Sequence, residues 1–287
     1  MLAVIVGVAS ALVFGSADFL GGLASQRIAA VRATAIAAVA GLAVLLLALL
    51  VVPSQWSWSA VAFGALSGVS GAIAISLLYA CLAIGPMSIL SPLTAVVSAV
   101  VPLTVGLLRG ERLHPIGYVA LGVALVAVVL VGFVPERGAV RPSLRGILMA
   151  LGSGVFIGVF LVIIDLTPPD SGVIPLVFNR AVNAIVMFTT VGVIALLARR
   201  RGTTKDSRGW RAGLPFAIAC GIIDSIANAG LLFGLRIGDL SVISVLTALY
   251  PAGTIILAAI VLRERIAPVQ YIGLALALGA AGMLALA

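Results

Sequence analysis

Two forty-residue stretches of the chain are versions of one another, and this internal repeat limits the folds that the chain can adopt. Residues 82–121 align with residues 235–274 at a constant offset of 153, without a gap. The shared pattern is I-G-x-x-S-x-x-S-x-L-T-A, and further on E-R-x-x-P-x-x-Y. An apolar composition by itself would not place polar residues at equal offsets, so we infer two copies of one structural unit.

The composition places this repeat in a membrane. Of the 287 residues, 63% are hydrophobic and only 9% are charged, whereas a soluble domain carries about 25% charged residues. Because a helix needs roughly 20 apolar residues to cross a bilayer, the chain has room for about ten crossings. The alternating polarity of barrel strands is absent. The expected fold class is therefore an all-α integral membrane protein.

The sequence predicts ten membrane spans, five in each copy of the repeat. The predicted spans are about 2–23, 31–52, 58–83, 87–108, 115–134, 144–166, 173–198, 212–235, 241–262 and 268–286. Since five is an odd number, the second copy must enter the membrane in the opposite orientation, which is the inverted-repeat arrangement of secondary transporters. We expect two inverted five-helix repeats (5+5), residues 1–138 and 139–287, that form one integrated membrane domain.

The basic residues indicate how the spans are oriented. Loops after odd-numbered spans hold 13 basic residues, and loops after even-numbered spans hold 3. Cytoplasmic loops are enriched in Lys and Arg, so the odd loops are predicted in the cytoplasm and both termini outside it. The net charge of +8 then reflects topology and not nucleic-acid binding. We expect a multi-pass protein of the cell membrane, with the lipid bilayer as its partner.

Span eight carries an acidic residue near its centre. Asp224 has Asn228 one turn further on, so both lie on one helical face. A charge at mid-bilayer costs between about 2.5 and more than 10 kcal/mol, so it needs a reason. The functional hypothesis is a proton or substrate site that faces a central cavity, and the alternative is a hydrogen-bonded structural strut.

Two further charged residues lie inside predicted spans. Asp18, in span one, is either functional or close enough to the interface to reach water. Arg180, in span seven, is flanked by Asn179, and Asn183 lies near the same face. Arg180 could bind a substrate carboxylate, pair with an aspartate, or extend its side chain to the membrane surface.

Spans four and nine each carry a row of hydroxyl groups at helical spacing. The rows include Ser91, Thr94 and Ser98 in one span and Ser244 and Thr247 in the other. Such residues either permit close helix packing or line a cavity, and prolines in both spans free backbone carbonyls of the kind found in transporter sites. Tyr79 and Tyr250 are candidate cavity walls.

A Glu-Arg pair follows the hydroxyl-bearing span in each repeat. These pairs are Glu111-Arg112 and Glu264-Arg265. Each pair stands at the start of a loop, where a carboxylate favours a helix N-terminus. We interpret them as structural residues that cap the next span along the chain.

Taken together, these features resemble the EamA-type transporters of the drug/metabolite transporter superfamily. The resemblance rests on the ten spans, the duplication, the paired endings G-E-R-L-H-P and R-E-R-I-A-P, and V-F-G-S-A-D-F-L-G-G-L-A-S in the first span. It covers essentially the whole chain. It implies a secondary active transporter that exports small metabolites, amino acids or drugs by alternating access through a central cavity, without ATP.

Two other classes of function stay open as alternatives: a non-transporting membrane scaffold and an intramembrane enzyme. The sequence contains no Walker motif, no H-E-x-x-H and no Cys/His cluster. No catalytic residue, metal ligand or cofactor is therefore assigned. The expected partners are a small-molecule substrate and protons, with no nucleic acid, in a monomer or a homodimer.

Overall fold

The computed structural model describes residues 1–84, 87–132, 143–200, 210–263 and 266–286. Within these residues the regular structure is helical, and the helices are α1 Leu2–Arg27, α2 Ala30–Ala48, α3 Trp58–Ile84, α4 Met87–Leu108, α5 Pro115–Gly132, α6 Leu144–Asp165, α7 Ile174–Arg200, α8 Leu214–Ile237, α9 Leu240–Thr247, α10 Tyr250–Val261 and α11 Pro268–Leu286. Short 3-10 turns, Pro169–Ser171 and Trp210–Ala212, precede α7 and α8.

The predicted membrane spans correspond to these helices. Among the described residues, nine helical stretches are long and apolar enough to cross a membrane, and α9 with α10 forms one of them, Leu240–Val261. The described apolar part of α4, Pro92–Leu108, is shorter. Large apolar side chains such as Leu47 and Leu278 are exposed on the outer surface, where lipid is their solvent. The prediction of an all-α, multi-pass membrane protein is confirmed.

The ninth span is broken in its middle, as expected from the proline that the sequence places there. Helix α9 ends at Thr247 and α10 begins at Tyr250. Pro251 follows immediately, and a proline has no N–H to continue the helical hydrogen bonds. The amide of Ala252 instead bonds the Leu249 carbonyl at 2.9 Å. Helix α4 contains Pro92 and Pro102, yet it is continuous from Met87 to Leu108.

Helix packing follows the internal repeat. Helix α1 packs against α8, and its repeat equivalent α6 packs against α3. In the same way α2 packs against α8, and α7 packs against α3. If each helix is replaced by its repeat equivalent (α1 by α6, α2 by α7, α3 by α8 and the reverse), the α1–α8 contact becomes the α6–α3 contact, and the α2–α8 contact becomes the α7–α3 contact. The opposite orientation of the two halves stays a prediction.

Two glycines separated by the repeat offset occupy equivalent helix crossings. A Cβ atom on Gly221 would lie 2.7 Å from Cα of Ala37 in α2, and one on Gly68 would lie 3.1 Å from Cα of Asn179 in α7. Larger side chains would separate both helix pairs. Close backbone approach between small residues is how membrane helices gain packing energy, because lipid tails are as apolar as a leucine.

Candidate functional site

Helices of both halves line a cavity within the bundle. Its volume is about 220 Å³, and side chains from α1, α3, α4, α6, α7, α8 and α9 line it, together with Tyr250 at the start of α10. Its polar lining residues are Asp18, Ser98, Asn179, Arg180, Asn183, Asp224, Asn228, Ser244, Thr247 and Tyr250. The site therefore combines residues that lie far apart in the chain.

Arg180 and Asp224 form an ion pair at this cavity. Nη2 of Arg180, in α7, donates to Oδ2 of Asp224, in α8. The two side chains are 13% and 25% exposed, and both residues line the cavity. Each charge thus has a partner in a region where an isolated charge would cost several kcal/mol. Of the three roles considered for Arg180, the geometry shows pairing with an aspartate.

Asp18 lies in the same cavity without such a partner. Its side chain is exposed, although the residue lies well inside α1, because it faces the cavity. Within the described ranges, no hydrogen bond or ion pair engages the Asp18 carboxyl group. The cavity therefore presents one paired and one unpaired acidic group.

Two of the asparagines are held by neighbouring groups. Asn179 donates from Nδ2 to Oγ of Ser67 at 2.9 Å, which joins α7 to α3. Asn228 donates from Nδ2 to the Asp224 carbonyl at 2.8 Å, one turn back in α8. Both residues are buried and line the cavity. These bonds fix the direction of each amide before any ligand arrives.

The two rows of hydroxyl groups differ in position. Ser244 and Thr247, in α9, line the cavity, and so does Ser98 in α4. Thr94 does not: its hydroxyl donates to the carbonyls of Leu90, at 3.0 Å, and Ala150, at 3.2 Å, and so fastens α4 to α6. The packing role therefore applies to Thr94.

The apolar side chains of the cavity were not singled out from the sequence, and two of the sequence candidates cannot be placed. Phe14 in α1 and Ile157 and Phe160 in α6 also line the cavity. Phe14 stands in a Val-Phe pair that recurs in the second half at residues 155–156, which was the available signal for it. The side chains of Tyr79 and Ser91 lie outside the part of the chain that the structure describes.

Glu111 caps a helix of the other half of the chain, and this corrects the expectation that it caps the next span. Its Oε1 accepts a hydrogen bond from the amide of Leu240 at 2.8 Å, and its Oε2 accepts one from Ser241 at 3.1 Å. These amides begin α9, where a carboxylate satisfies unpaired N–H groups and the helix dipole. Burial and the Glu111 carboxylate raise the pKa of Asp239, the residue that precedes α9.

A second polar contact lies beside this cap. Nη1 of Arg109, just after α4, donates to Oδ2 of Asp165, the last residue of α6, at 2.8 Å. We use the name inter-repeat clasp for the Glu111 cap and the Arg109–Asp165 ion pair together. The clasp holds the end of α4 against the second half of the chain at one membrane surface.

The residues that the structure describes contain no group of three or more His, Cys, Asp or Glu side chains that could hold a metal ion. The site can instead offer an ion pair, an unpaired carboxyl group, hydroxyls and amides. Such groups bind small polar molecules and protons.

The fold defines a multi-pass membrane protein, and its internal cavity carries ionisable side chains from several helices. A family model described as the EamA-like transporter family matches residues 144–286, and the chain belongs to this family. The chain is similar to a protein of known crystal structure, with a TM-score of 0.74 and 19% sequence identity. The match covers 99% of this chain and 98% of the other chain. At that identity it shows the fold alone. No curated protein matches the chain.

Proposed function

We propose that the chain is a secondary active transporter that exports a small polar metabolite in exchange for protons, by alternating access through the central cavity. The observation that carries this proposal is the placement of Asp18, Arg180 and Asp224 around one cavity. Ionisable groups inside a membrane bundle are costly, and they mark substrate and proton pathways. The EamA-like family is a transporter family, which points away from an enzyme.

The size of the cavity limits the substrate. A volume of about 220 Å³ corresponds to roughly seven water molecules at about 30 Å³ each. Ligand pockets for drug-sized molecules start at about 300 Å³. The cavity therefore suits a metabolite of amino-acid size better than a large drug or a peptide.

Asp18 is the proton carrier in this proposal, in place of Asp224, which the sequence favoured. Protonation of Asp224 would leave the Arg180 charge without its partner, and breaking a buried ion pair costs about 3–5 kcal/mol. Among the described residues, no hydrogen bond or ion pair ties the Asp18 carboxyl group to its charged or its protonated form. Asp18 can therefore exchange a proton for a polar substrate group at lower cost.

The clasp gives the transporter a closed side. It joins the end of α4 to the start of α9 and the end of α6, and these three helices also contribute side chains to the cavity. Opening that side requires these bonds to break, whereas the other side can open without touching them. In the predicted orientation the clasp faces away from the cytoplasm.

The test begins with metabolites, because untargeted analysis of the growth medium detects an exported compound whatever its identity. Cells that express the wild-type chain are compared with cells that express Asp18→Asn at equal membrane levels. We expect at least one small polar metabolite to accumulate outside wild-type cells only. Identical media would contradict the proposal.

Proteoliposomes then separate coupling from binding. With the exported metabolite, wild-type protein should respond to an imposed pH gradient. Asp18→Asn should keep exchange of labelled for unlabelled substrate but lose the response to the gradient. Full gradient-driven transport by Asp18→Asn would remove Asp18 as proton carrier and return Asp224 to consideration.

A further inference from the structure

Three residues that line the cavity carry a polar atom with no hydrogen-bond partner among the residues that the structure describes. The polar groups are Oδ1 of Asn183 in α7 and the hydroxyl groups of Ser244 and Thr247 in α9, all of which are buried and unpartnered among the described residues. All three residues line the cavity. Buried polar atoms are almost always paired in native proteins, so an unpaired group needs an explanation.

The position of these groups distinguishes them from other unpartnered hydroxyls. Ser225 and Ser241 are also buried without a partner among the described residues, yet neither lines the cavity. Ser225 lies on α8 where α2 approaches it at Gly41, and Ser241 lies in the first turn of α9 below the Glu111 cap. Of the five residues with such an atom, Asn183, Ser244 and Thr247 are therefore the ones that a molecule in the cavity would lie beside.

The three groups differ chemically from the charged groups of the same cavity. An amide oxygen accepts hydrogen bonds, and a hydroxyl group both donates and accepts them. None of them neutralises a charge, and Asp18, Arg180 and Asp224 already provide the charged groups of the site. A partner for these atoms needs at least one O–H or N–H donor and one acceptor, which a hydroxyl or a primary amide supplies.

We propose that Asn183, Ser244 and Thr247 form a subsite that selects substrates carrying an uncharged hydroxyl or amide group next to their charged group. This proposal rests on the proposed transport function and adds the chemical class of its substrate. A site whose buried polar groups are built to hydrogen-bond a ligand rejects an isosteric apolar analogue strongly, because that analogue leaves them unpaired.

Three isosteric pairs of small molecules test the subsite: one pair of cations, one pair of zwitterions and one pair of anions. They are 1-amino-2-propanol with isobutylamine, threonine with valine, and 3-hydroxybutyrate with isovalerate. In each pair a hydroxyl group replaces a methyl group at constant charge. The purified full-length protein is titrated with each compound, and the rise in its thermal unfolding temperature is measured.

We expect the hydroxyl member of at least one pair to stabilise the wild-type protein at a concentration at least about tenfold lower than its methyl partner. Thr247→Val removes one hydroxyl at constant shape and should reduce that preference to about threefold or less. Ser244→Ala should act in the same direction and serves as a second variant if Thr247→Val does not fold. Ser241→Ala, on the same helix but away from the cavity, is the matched control and should keep the preference.

Equal stabilisation by both members of every pair, or by none of the compounds, would overturn the subsite. An unchanged preference in both Thr247→Val and Ser244→Ala would overturn it as well. Failure of the underlying function gives a different result, namely the absence of any metabolite exported by wild-type cells. Export of a metabolite that has neither a hydroxyl nor an amide would refute the subsite and leave the transporter standing.

Discussion

The Glu111 carboxylate lies 2.8 Å from the amide nitrogen of Leu240, so a residue of the first half of the chain caps a helix of the second half. Glu111→Gln removes the charge that interacts with the α9 N-terminus and keeps only one acceptor oxygen. We expect a loss of about 1–2 kcal/mol in stability, because hydrogen bonds to charged groups contribute more than neutral ones. Thermal unfolding of the purified protein measures this loss.

The neighbouring Arg112, which is exposed, provides the control for that experiment. Arg112→Gln also removes one charge from the same loop, but it touches no α9 amide. An equal loss of stability in both variants would show that the charge of the loop, and not the cap, is responsible.

Asp239, the residue that precedes α9, should make the stability of the folded protein depend on pH. Burial and the Glu111 carboxylate raise the pKa of Asp239 above its ordinary value in the folded protein. Between the ordinary and the raised pKa the folded chain binds more protons than the unfolded chain, so stability falls as pH rises through that interval. Unfolding temperatures measured from about pH 4 to about pH 7 should show this fall, and Asp239→Asn should flatten it. A slope that is unchanged in Asp239→Asn would assign the pH dependence to another group.

The Arg180–Asp224 pair predicts a non-additive double variant. Arg180→Gln leaves the Asp224 carboxylate without its partner, and we expect a loss of about 3–5 kcal/mol. Asp224→Asn together with Arg180→Gln removes both charges and should recover most of that loss. Unfolding of the two single variants and the double variant measures the coupling. Strictly additive losses would show that the two side chains do not act as a pair.

The glycine crossings predict equal sensitivity in the two halves. Gly221→Ala and Gly68→Ala each place a Cβ atom against a neighbouring helix, and overpacking of this kind costs about 1–3 kcal/mol. Gly279→Ala, in α11, is the control because nothing lies within 4 Å of its Cβ position. A destabilised Gly279→Ala with tolerant Gly68 and Gly221 variants would reverse the expected order and contradict the packing argument.

The orientation of the chain in the membrane can be tested with reporter fusions. The basic-loop asymmetry predicts a cytoplasmic loop at Gly202 and a C-terminus, Ala287, outside the cytoplasm. Both residues lie outside the part of the chain that the structure describes. A reporter at Ala287 that is active only in the cytoplasm would reverse the orientation and move the clasp to the cytoplasmic side.

Much of the fold followed from patterns along the chain, because each pattern has a local cause. Apolar runs of about 20 residues must be helical in lipid, since only a helix pairs the backbone groups of an isolated segment internally. The helix contacts of the two halves match under the repeat, and Gly68 and Gly221, which are separated by the same offset of 153, both lie at close helix crossings. The break in span nine followed from Pro251, but the continuity of α4 through Pro102 did not, because a proline is tolerated within a membrane helix when neighbouring helices support the backbone.

The candidate site was predicted as a set of residues but not as an arrangement. Intramembrane charges such as Asp18, Arg180 and Asp224 stand out because they are expensive in lipid. Which of the two aspartates pairs with Arg180 depends on the angle at which α7, α8 and α1 meet, and no local pattern contains that angle. Thr94 and Thr247 occupy equivalent positions in the repeat, yet Thr94 bonds to α6 whereas Thr247 lines the cavity. This difference also depends on how the helices meet.

By itself the sequence determined that this chain is a bundle of membrane helices with an internal sequence repeat and costly polar groups inside it, because hydropathy acts on each segment separately. Only the tertiary structure decided that Arg180 pairs with Asp224, that Asp18 has no such partner in the described structure, and that Glu111 caps α9. These relationships join residues 44 and 129 positions apart. They arise from how the helices pack, and packing is a property of the whole bundle.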